Sequence, residues 1–563
     1  MKNLMFAILC GTALALEAAS AGTAERPTDV YLLIGQSNMA GRGTLTPSNR
    51  VNAARVMRWE ASSNVWERAE EPIVRDRLFS GAGLGASFGR LMADADPKSV
   101  VGLVPAADGG TPLKRWMPGA DLYVRAVKWT KDALAGGGRL KGILWHQGCN
   151  DAGTDADART YAERLEKMVA ALRRDLGEPD VRFVAGELGT FLDGYKDGQL
   201  RWREINRQLH LAAARIPNMA VVSSEGLADK GDSLHFDADA TASLGARYAV
   251  EFRGRGTFGV SPETVAEYWA GERARLDREV PADVRCEPCP EIGDAAHDAY
   301  RISSATFNGK RVYGFMSVPR GEGPYPLYVS VPGAGKGEIA AGNMPGVIRL
   351  VLNVFDYDVG TDAKIAAERY RDWVDRTNAK YGVRNYMHAG LGRGREEYVF
   401  HDVILGMLRT IDWAAGRPKA DPRRVLYFGS SQGGAFGLWL AAFGARFSKI
   451  VLNVLAMCDL LAFRDGRECG GPDPVRGQCA AERAVAEAAA PYYDAALVAP
   501  LVKAPVRMIV CLDDHVCPYA TAVTAFGRLA NPESRLFAAR GLGHSYGSPF
   551  FAPCLKWLMD DAR

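Results

Sequence analysis

A chain of 563 residues is too long for one ordinary core and predicts two or three domains. Its 69 basic and 66 acidic residues nearly cancel, leaving a formal +3, which gives no reason to expect nucleic acid or an anionic membrane as partner. With 47% hydrophobic and 24% charged residues, the composition is that of a soluble globular protein.

In chain order, the first feature is a targeting segment. Lys2, the mostly apolar run Met5–Leu16 and the small residues Ala19-Ser20-Ala21 and Ala24 read as a signal peptide over residues 1–24. The mature protein is therefore expected to be periplasmic or secreted, with no membrane attachment once the segment is removed. From 25 to 253, short apolar runs (Val30–Ile34, Val100–Val104, Gly142–Trp145, Val181–Ala185, Ala220–Val222) alternate with amphipathic stretches (Tyr123–Leu134, Thr160–Leu172, Leu200–Arg215). Such alternation predicts a parallel sheet covered by helices. Residues 254–299 change character: one charged helix, Pro262–Glu279, then Pro and Cys punctuation, which reads as a connector and the N-terminal extension of a second domain. Export allows disulfides, and Cys286-Glu-Pro-Cys289 is read as a local one; with no second Cys pair or His pair nearby, a zinc site is not expected.

A second alternation fills 300–563. Arg311–Val318, Leu327–Val331, Ile348–Val354, Arg424–Phe428, Lys449–Val454, Val506–Leu512 and Arg535–Ala539 read as strands; Glu397–Ala415, Gly434–Phe443 and Ala522–Leu529 read as helices. A chain beginning near Ser261 is expected to fold and act alone.

Each half carries a serine in a context that suits nucleophilic catalysis. Ser37, in Gly35-Gln36-Ser37-Asn38-Met39-Ala40-Gly41, follows the first strand directly, where ligands bind in open α/β sheets. A serine hydroxyl is a weak nucleophile unless a base takes its proton. Asp232-Ser233-Leu234-His235, near the end of the first half, supplies a carboxylate three residues before an imidazole. Ser431, in Gly429-Ser430-Ser431-Gln432-Gly433-Gly434, sits between a strand and a helix, the setting of a nucleophile elbow. Asp513-Asp514 and then His544 follow later strands, the α/β-hydrolase order, and the oxyanion donors would be the backbone N–H groups of Gln432 and of a residue near Ala334. Gly85-Ala86-Ser87-Phe88-Gly89 has the same spacing but no preceding strand, so Ser87 reads as helical filler. His146 reads as a partly buried structural histidine.

The blocks Gly35–Gly41, Val101–Pro105 with Gly109–Pro112, Trp145-His146-Gln147-Gly148 and Asp232–Phe236 resemble the sialate O-acetylesterase-like, family 6 carbohydrate-esterase group of SGNH hydrolases. The resemblance implies a flavodoxin-like parallel sheet, Ser37 as nucleophile, Asp232 and His235 as its relay, and Gln147 with Gly110 (or Gly109) in the oxyanion hole. Cys149 stands where that group carries an acidic residue. The second half resembles the acetyl xylan esterase and cephalosporin-C deacetylase group of α/β-hydrolases, carbohydrate-esterase family 7, through its elbow and Leu512-Asp513-Asp514-His515-Val516-Cys517-Pro518. That resemblance selects Asp514 over Asp513, with Ser431 and His544. The group's Arg-Gly-Gln block is missing near Asn353–Gly360, and its His-Gly-Tyr loop reads Pro332-Gly333-Ala334. Together the resemblances imply a cofactor-free bifunctional deacetylase of acetylated polysaccharides or oligosaccharides. The alternative is a single-activity acetylesterase whose other half has decayed into a carbohydrate-binding module, with Cys149 pointing to the first half.

Overall fold

The structure is a computed structural model that describes residues 26–198, 200–253, 258–335, 337–338 and 342–560; the expected signal peptide lies outside the described residues. Two sheets organise it. The first contains β1 (Asp29–Gly35), β2 (Val56–Glu60), β3 (Val65–Arg68), β4 (Val101–Pro105), β5 (Arg139–His146), β6 (Arg182–Gly186) and β7 (Met219–Val222). Their order is β3-β2-β4-β1-β5-β6-β7, parallel throughout except for the β2–β3 hairpin. β1 is central, with later strands added on both sides, so its carboxyl end is a switch point where a crevice opens. Its residues Val30 to Ile34 are 0–2% exposed, which is why that run is continuously apolar rather than alternating.

The second sheet holds β8 (Val284–Pro288), β9 (His297–Ala305), β10 (Arg311–Pro319), β11 (Tyr325–Val331), β12 (Ile348–Leu352), β13 (Ala420–Ser430), β14 (Lys449–Asn453), β15 (Val506–Cys511) and β16 (Arg535–Ala539). The order is β16-β15-β14-β13-β11-β12-β10-β9-β8; the first six run parallel and the last three join antiparallel. This is the α/β-hydrolase arrangement. Helix Pro262–Glu279, read as connector and N-terminal extension of the second domain, packs into this body: Trp269 is fully buried, stacks on Phe443 at 4.5 Å and donates its indole N–H to the Tyr492 carbonyl at 3.1 Å.

Cys286 and Cys289 are both free thiols, contrary to the expected disulfide. Cys286 is in β8, paired with Ile302, and Cys289 lies just past the strand's end. Three residues along extended chain span roughly 10 Å, beyond the roughly 7 Å that a disulfide tolerates between Cα atoms.

The two halves share one core. Helices Leu84–Ala95 and Ala238–Phe252 press against each other so closely that a Cβ on Gly245 would collide with the Ser87 hydroxyl. One continuous buried cluster runs from Tyr31, Leu33 and Phe88 through Tyr248 to Phe537 and Val510 in the second sheet, while the other face of the first sheet has its own core around Trp116, Trp145 and Tyr161. Helix Ala238–Phe252 also lies along the outer edge of β16. Asp239 accepts from the Arg540 N–H (2.7 Å), the Ser243 hydroxyl bonds both the Ala538 N–H (2.8 Å) and its carbonyl (3.3 Å), and Arg247 donates to the Leu536 carbonyl (2.9 Å). Four residues of helix rise about 6 Å and two residues of strand about 6.6 Å. Side chains four apart on the helix therefore meet backbone groups two apart on the strand. A chain beginning near Ser261 would lose every one of these partners.

Candidate active sites

The first site forms where β1 ends. Gly35 has φ +134°, and a Cβ there would strike the His146 carbonyl, so only glycine lets the chain turn directly into the short helix Ser37–Ala40. Ser37, 7% exposed, begins that helix. The His235 loop is shaped by carboxylates: Asp229 accepts from the N–H groups of Gly231 (2.8 Å) and Ser233 (2.6 Å), and Asp232 from those of Leu234 (3.0 Å) and His235 (2.8 Å). Asn38, next to the serine, clamps the loop on both sides of the histidine by donating to the Leu234 carbonyl (3.1 Å) and accepting from the Phe236 N–H (3.2 Å).

The outcome is a relay. His235 Nδ1 lies 2.7 Å from Asp232 Oδ2, and His235 Nε2 lies 3.0 Å from Ser37 Oγ. With the proton on Nδ1 it donates to Asp232, and the serine hydroxyl donates to Nε2. Burial opposes ionisation of Asp232, but the hydrogen bonds from the His235 ring and from two backbone N–H groups outweigh it and hold the carboxyl at about 2. Burial, partly offset by Asp232, lowers the His235 pKa, so at neutral pH the ring is a free base. The three groups are brought together in the geometry required for proton transfer.

Gln147 sits elsewhere than the resemblance implied. It is fully buried; its amide N–H groups donate to the Thr111 carbonyl (3.0 Å) and to Asp151 (2.7 Å), and its carbonyl accepts from Tyr161 (2.7 Å). With both amide hydrogens committed below the crevice, it braces the site and has no donor for an oxyanion. Gly109 is committed too, its N–H donating to Asp76 at 2.7 Å. Gly110 lines the pocket with Ser37, and its N–H has no acceptor among the described residues. Asn150, absent from the sequence-based set, lines the same pocket and holds the Gly110 carbonyl at 2.8 Å through its side-chain amide. Cys149 is 5% exposed and burial pushes its thiol up to about 12, so it is neutral and supplies none of a carboxylate's charge. His146 is fully buried, 3.3 Å from the Tyr248 hydroxyl, and burial lowers it to about 4. It is a neutral core residue.

The second site forms at the β13–helix Gln432–Ala442 junction. Ser431 has φ 54° and ψ −120°, a strained conformation for a non-glycine residue, and sits at the sharp turn between strand and helix. Its glycines leave the space: a Cβ on Gly429 would strike the Gly433 carbonyl, and one on Gly433 the Val331 carbonyl. His544 Nδ1 lies 2.8 Å from Asp514 Oδ2, while Asp514 Oδ1 accepts from the Val516 and Cys517 N–H groups, both at 2.8 Å. Asp513 turns away to Arg90 of the first half at 3.3 Å. Ser431 Oγ is 4.0 Å from Cys517 Sγ and makes no hydrogen bond to His544, so Asp and His are joined here but the serine stands apart. The Pro332–Ala334 loop borders the nucleophile: a Cβ on Gly333 would lie 3.7 Å from that of Ser431 and 3.8 Å from the Tyr546 hydroxyl. The Ala334 N–H has no acceptor among the described residues, and the Gln432 N–H begins a helix, where N–H groups lack intrahelical partners. Ser87, the decoy, is fully buried in helix Leu84–Ala95 and bonds the Leu84 and Ala242 carbonyls. Among the described residues no cluster of His, Cys, Asp or Glu could hold a metal.

Residues 27–253 match the family described as carbohydrate esterase, sialic acid-specific acetylesterase. Residues 250–470 and 473–561, more than half of the chain, match the acetyl xylan esterase (AXE1) family. The chain belongs to two carbohydrate esterase families, one in each half. This two-family carbohydrate esterase is 32% identical over 249 residues to an Arabidopsis thaliana protein named probable carbohydrate esterase, covering 40% of this chain and 89% of that one. It is 26% identical over 288 residues to acetyl esterase Axe7A of Xylanibacter ruminicola, covering 49% of this chain and 62% of the relative, so it spans less than two thirds of that protein. Among solved structures, the acetyl xylan esterase of Paenibacillus sp. R4 is 20% identical with TM-score 0.42 over 53% of this chain and 94% of its own. An Arabidopsis thaliana protein is 30% identical with TM-score 0.37, over 40% and 98%. The carbohydrate esterase is a carboxylic ester hydrolase, and the activity common to both families is hydrolysis of acetyl esters on carbohydrates.

Proposed function

We propose that the protein is a bifunctional carbohydrate O-acetylesterase working through serine acyl-enzymes at two sites, on xylan-like acetylated polysaccharides or oligosaccharides. The observation that carries this is the Asp232–His235–Ser37 relay at 2.7 and 3.0 Å. Ser37 Oγ attacks the acetyl carbonyl carbon as its proton passes to His235 Nε2. The oxyanion is met by the N–H groups of Ser37 and Gly110 and by the Asn150 amide. The bond from the acetyl carbon to the sugar oxygen breaks, and His235 returns the proton to that oxygen. Water, deprotonated by His235, then releases acetate from the serine. At the second site Ser431, His544 and Asp514 take the same parts, with the N–H groups of Gln432 and Ala334 as oxyanion donors. The serine hydroxyl closes on His544 when substrate binds, since catalytic hydrogen bonds are often loose in the empty enzyme.

The units are 25–253 and 254–563, and the protein is exported; no described helix is long and apolar enough to cross a membrane. One observation favours the single-activity alternative, and it concerns the second half: Ser431 has no bond to its base. Acetate release from acetylated xylan by Ser37→Ala, Ser431→Ala and the double variant tests both readings. Each single variant retains activity if both sites work; full loss in Ser37→Ala alone assigns the chemistry to the first site.

A further inference from the structure

Leu78 and Phe79 are the most exposed large apolar side chains among the described residues, at 108% and 70%. Isolated exposed apolar residues are ordinary, but two in succession beside a candidate nucleophile are not. Phe79 lines the pocket of about 440 Å³ that holds Ser37 and His235. The turn that presents it is fixed. Ser80 donates its hydroxyl to Asp76 (2.8 Å) and accepts from the Arg77 N–H (3.1 Å), and Arg77 reaches over to Asp108 (3.0 Å) and the Gly109 carbonyl (3.1 Å). Asp76 is itself locked in a two-bond pair with Arg42, at 2.7 and 3.0 Å, with both side chains 3% exposed. The Arg42 guanidinium lies 5.3 Å from the Phe79 ring centroid and backs one of its faces. The ring is thus an apolar plate on a fixed turn, backed by a fixed guanidinium and open in front.

We propose that Phe79 is the platform on which the acetylated pyranose ring stacks while its acetyl group reaches Ser37. A pyranose has an apolar face of C–H groups and a rim of hydroxyls. The pocket matches it with the aromatic side chains of Phe79 and Tyr195, of which only Phe79 has a buried guanidinium behind its ring, and a polar edge from Arg77 and Asn150. Because the turn and the guanidinium behind the ring are already fixed, the ordering cost of using this plate is small. This specificity role rests on the reading of Ser37 as nucleophile.

The test uses the full chain carrying Ser431→Ala, so that only the first site turns over. Two acetyl esters are compared: a mono-acetylated methyl xylopyranoside and ethyl acetate, which has no ring. Phe79→Ala raises KM for the sugar ester about tenfold with kcat little changed, leaves ethyl acetate within about twofold, and Phe79→Tyr restores the parent value. Equal losses on both esters, or none on the sugar ester, overturn the platform while leaving Ser37 as nucleophile. If the Ser431→Ala parent hydrolyses neither ester, the Ser37 reading falls and the platform with it.

Discussion

Glu71→Gln tests whether the two halves are held as one body. Arg540 lies four residues before His544, and its guanidinium is 1% exposed against a Glu71 carboxylate at 0%. Arg540 Nη1 donates to both Glu71 oxygens at 2.8 Å, and Nη2 to the Gly83 carbonyl at 3.1 Å, so the pair joins the second half's histidine loop to the first half. Glutamine keeps the shape but strands a guanidinium charge in a dry interface, which costs about 3–5 kcal/mol. Arg90–Asp513, a more exposed pair across the halves like Arg507–Glu225 and Arg535–Glu225, is 16% and 40% exposed, and its loss costs about 0–1 kcal/mol. Urea unfolding followed by tryptophan fluorescence, with residual esterase activity read at each concentration, measures both. Glu71→Leu with Arg540→Met removes both charges and recovers most of the loss. A Glu71→Gln cost below about 1 kcal/mol refutes the reasoning, because the interface would then be wet enough to solvate the stranded charge.

Other expectations follow from the same geometry. Asp514→Asn lowers second-site kcat about ten-thousandfold, whereas Asp513→Asn stays within about twofold, since only Asp514 reaches His544; kinetics in a Ser37→Ala background separate them. First-site kcat/KM, measured with Ser431→Ala, is flat through neutral pH and falls only below the ordinary histidine value of 6.5. The sign follows from burial disfavouring the charged ring, so the base form persists to lower pH. An acid limb at or above neutrality contradicts it. A chain shortened to begin at Ser261 aggregates on size-exclusion chromatography, because the β16 edge and Arg540 lose their partners; a monodisperse, active product would show that the second half stands alone. Ser87→Ala leaves both activities intact in the same assays, since its hydroxyl bonds only backbone carbonyls.

Much of this was legible in the sequence because buried parallel strands read as unbroken apolar runs: Val30–Ile34 and Val506–Leu512 mark β1 and β15 within a residue or two. The β2–β3 hairpin escaped because Arg58 and Glu60 break the run, and Arg58 is buried by pairing with Glu60 and Glu67 and by donating to the Ile73 carbonyl. Helix Ala238–Phe252 escaped because its buried face is largely Ala, Ser and Gly, small residues chosen for close approach and carrying little periodicity. At the first site, the serine, aspartate and histidine were marked by short-range motifs. Gln147 was misplaced because a motif names a residue without saying which neighbours consume its hydrogen bonds; Asp151, four residues on, and Thr111 do so. Asn150, in Gly148-Cys149-Asn150-Asp151, carries no local signature of its role, because only the fold brings its amide to the Gly110 carbonyl 40 residues away. Contacts such as Glu71–Arg540, 469 residues apart, leave no local trace.

The row formed by Asp239, Ser243 and Arg247 has a consequence for how this molecule meets others. A terminal parallel strand normally offers unpaired amides and carbonyls that a neighbouring molecule can zip onto. Here three side chains of one helix occupy that hydrogen-bonding row at Arg540, Ala538 and Leu536, acting as a side-chain imitation of a seventeenth strand. The opposite border, β8, ends on Pro288, which has no amide hydrogen to lend. Sheet growth is thereby blocked along β16 and shortened at the end of β8, and damage to the first half becomes visible as stickiness in the second.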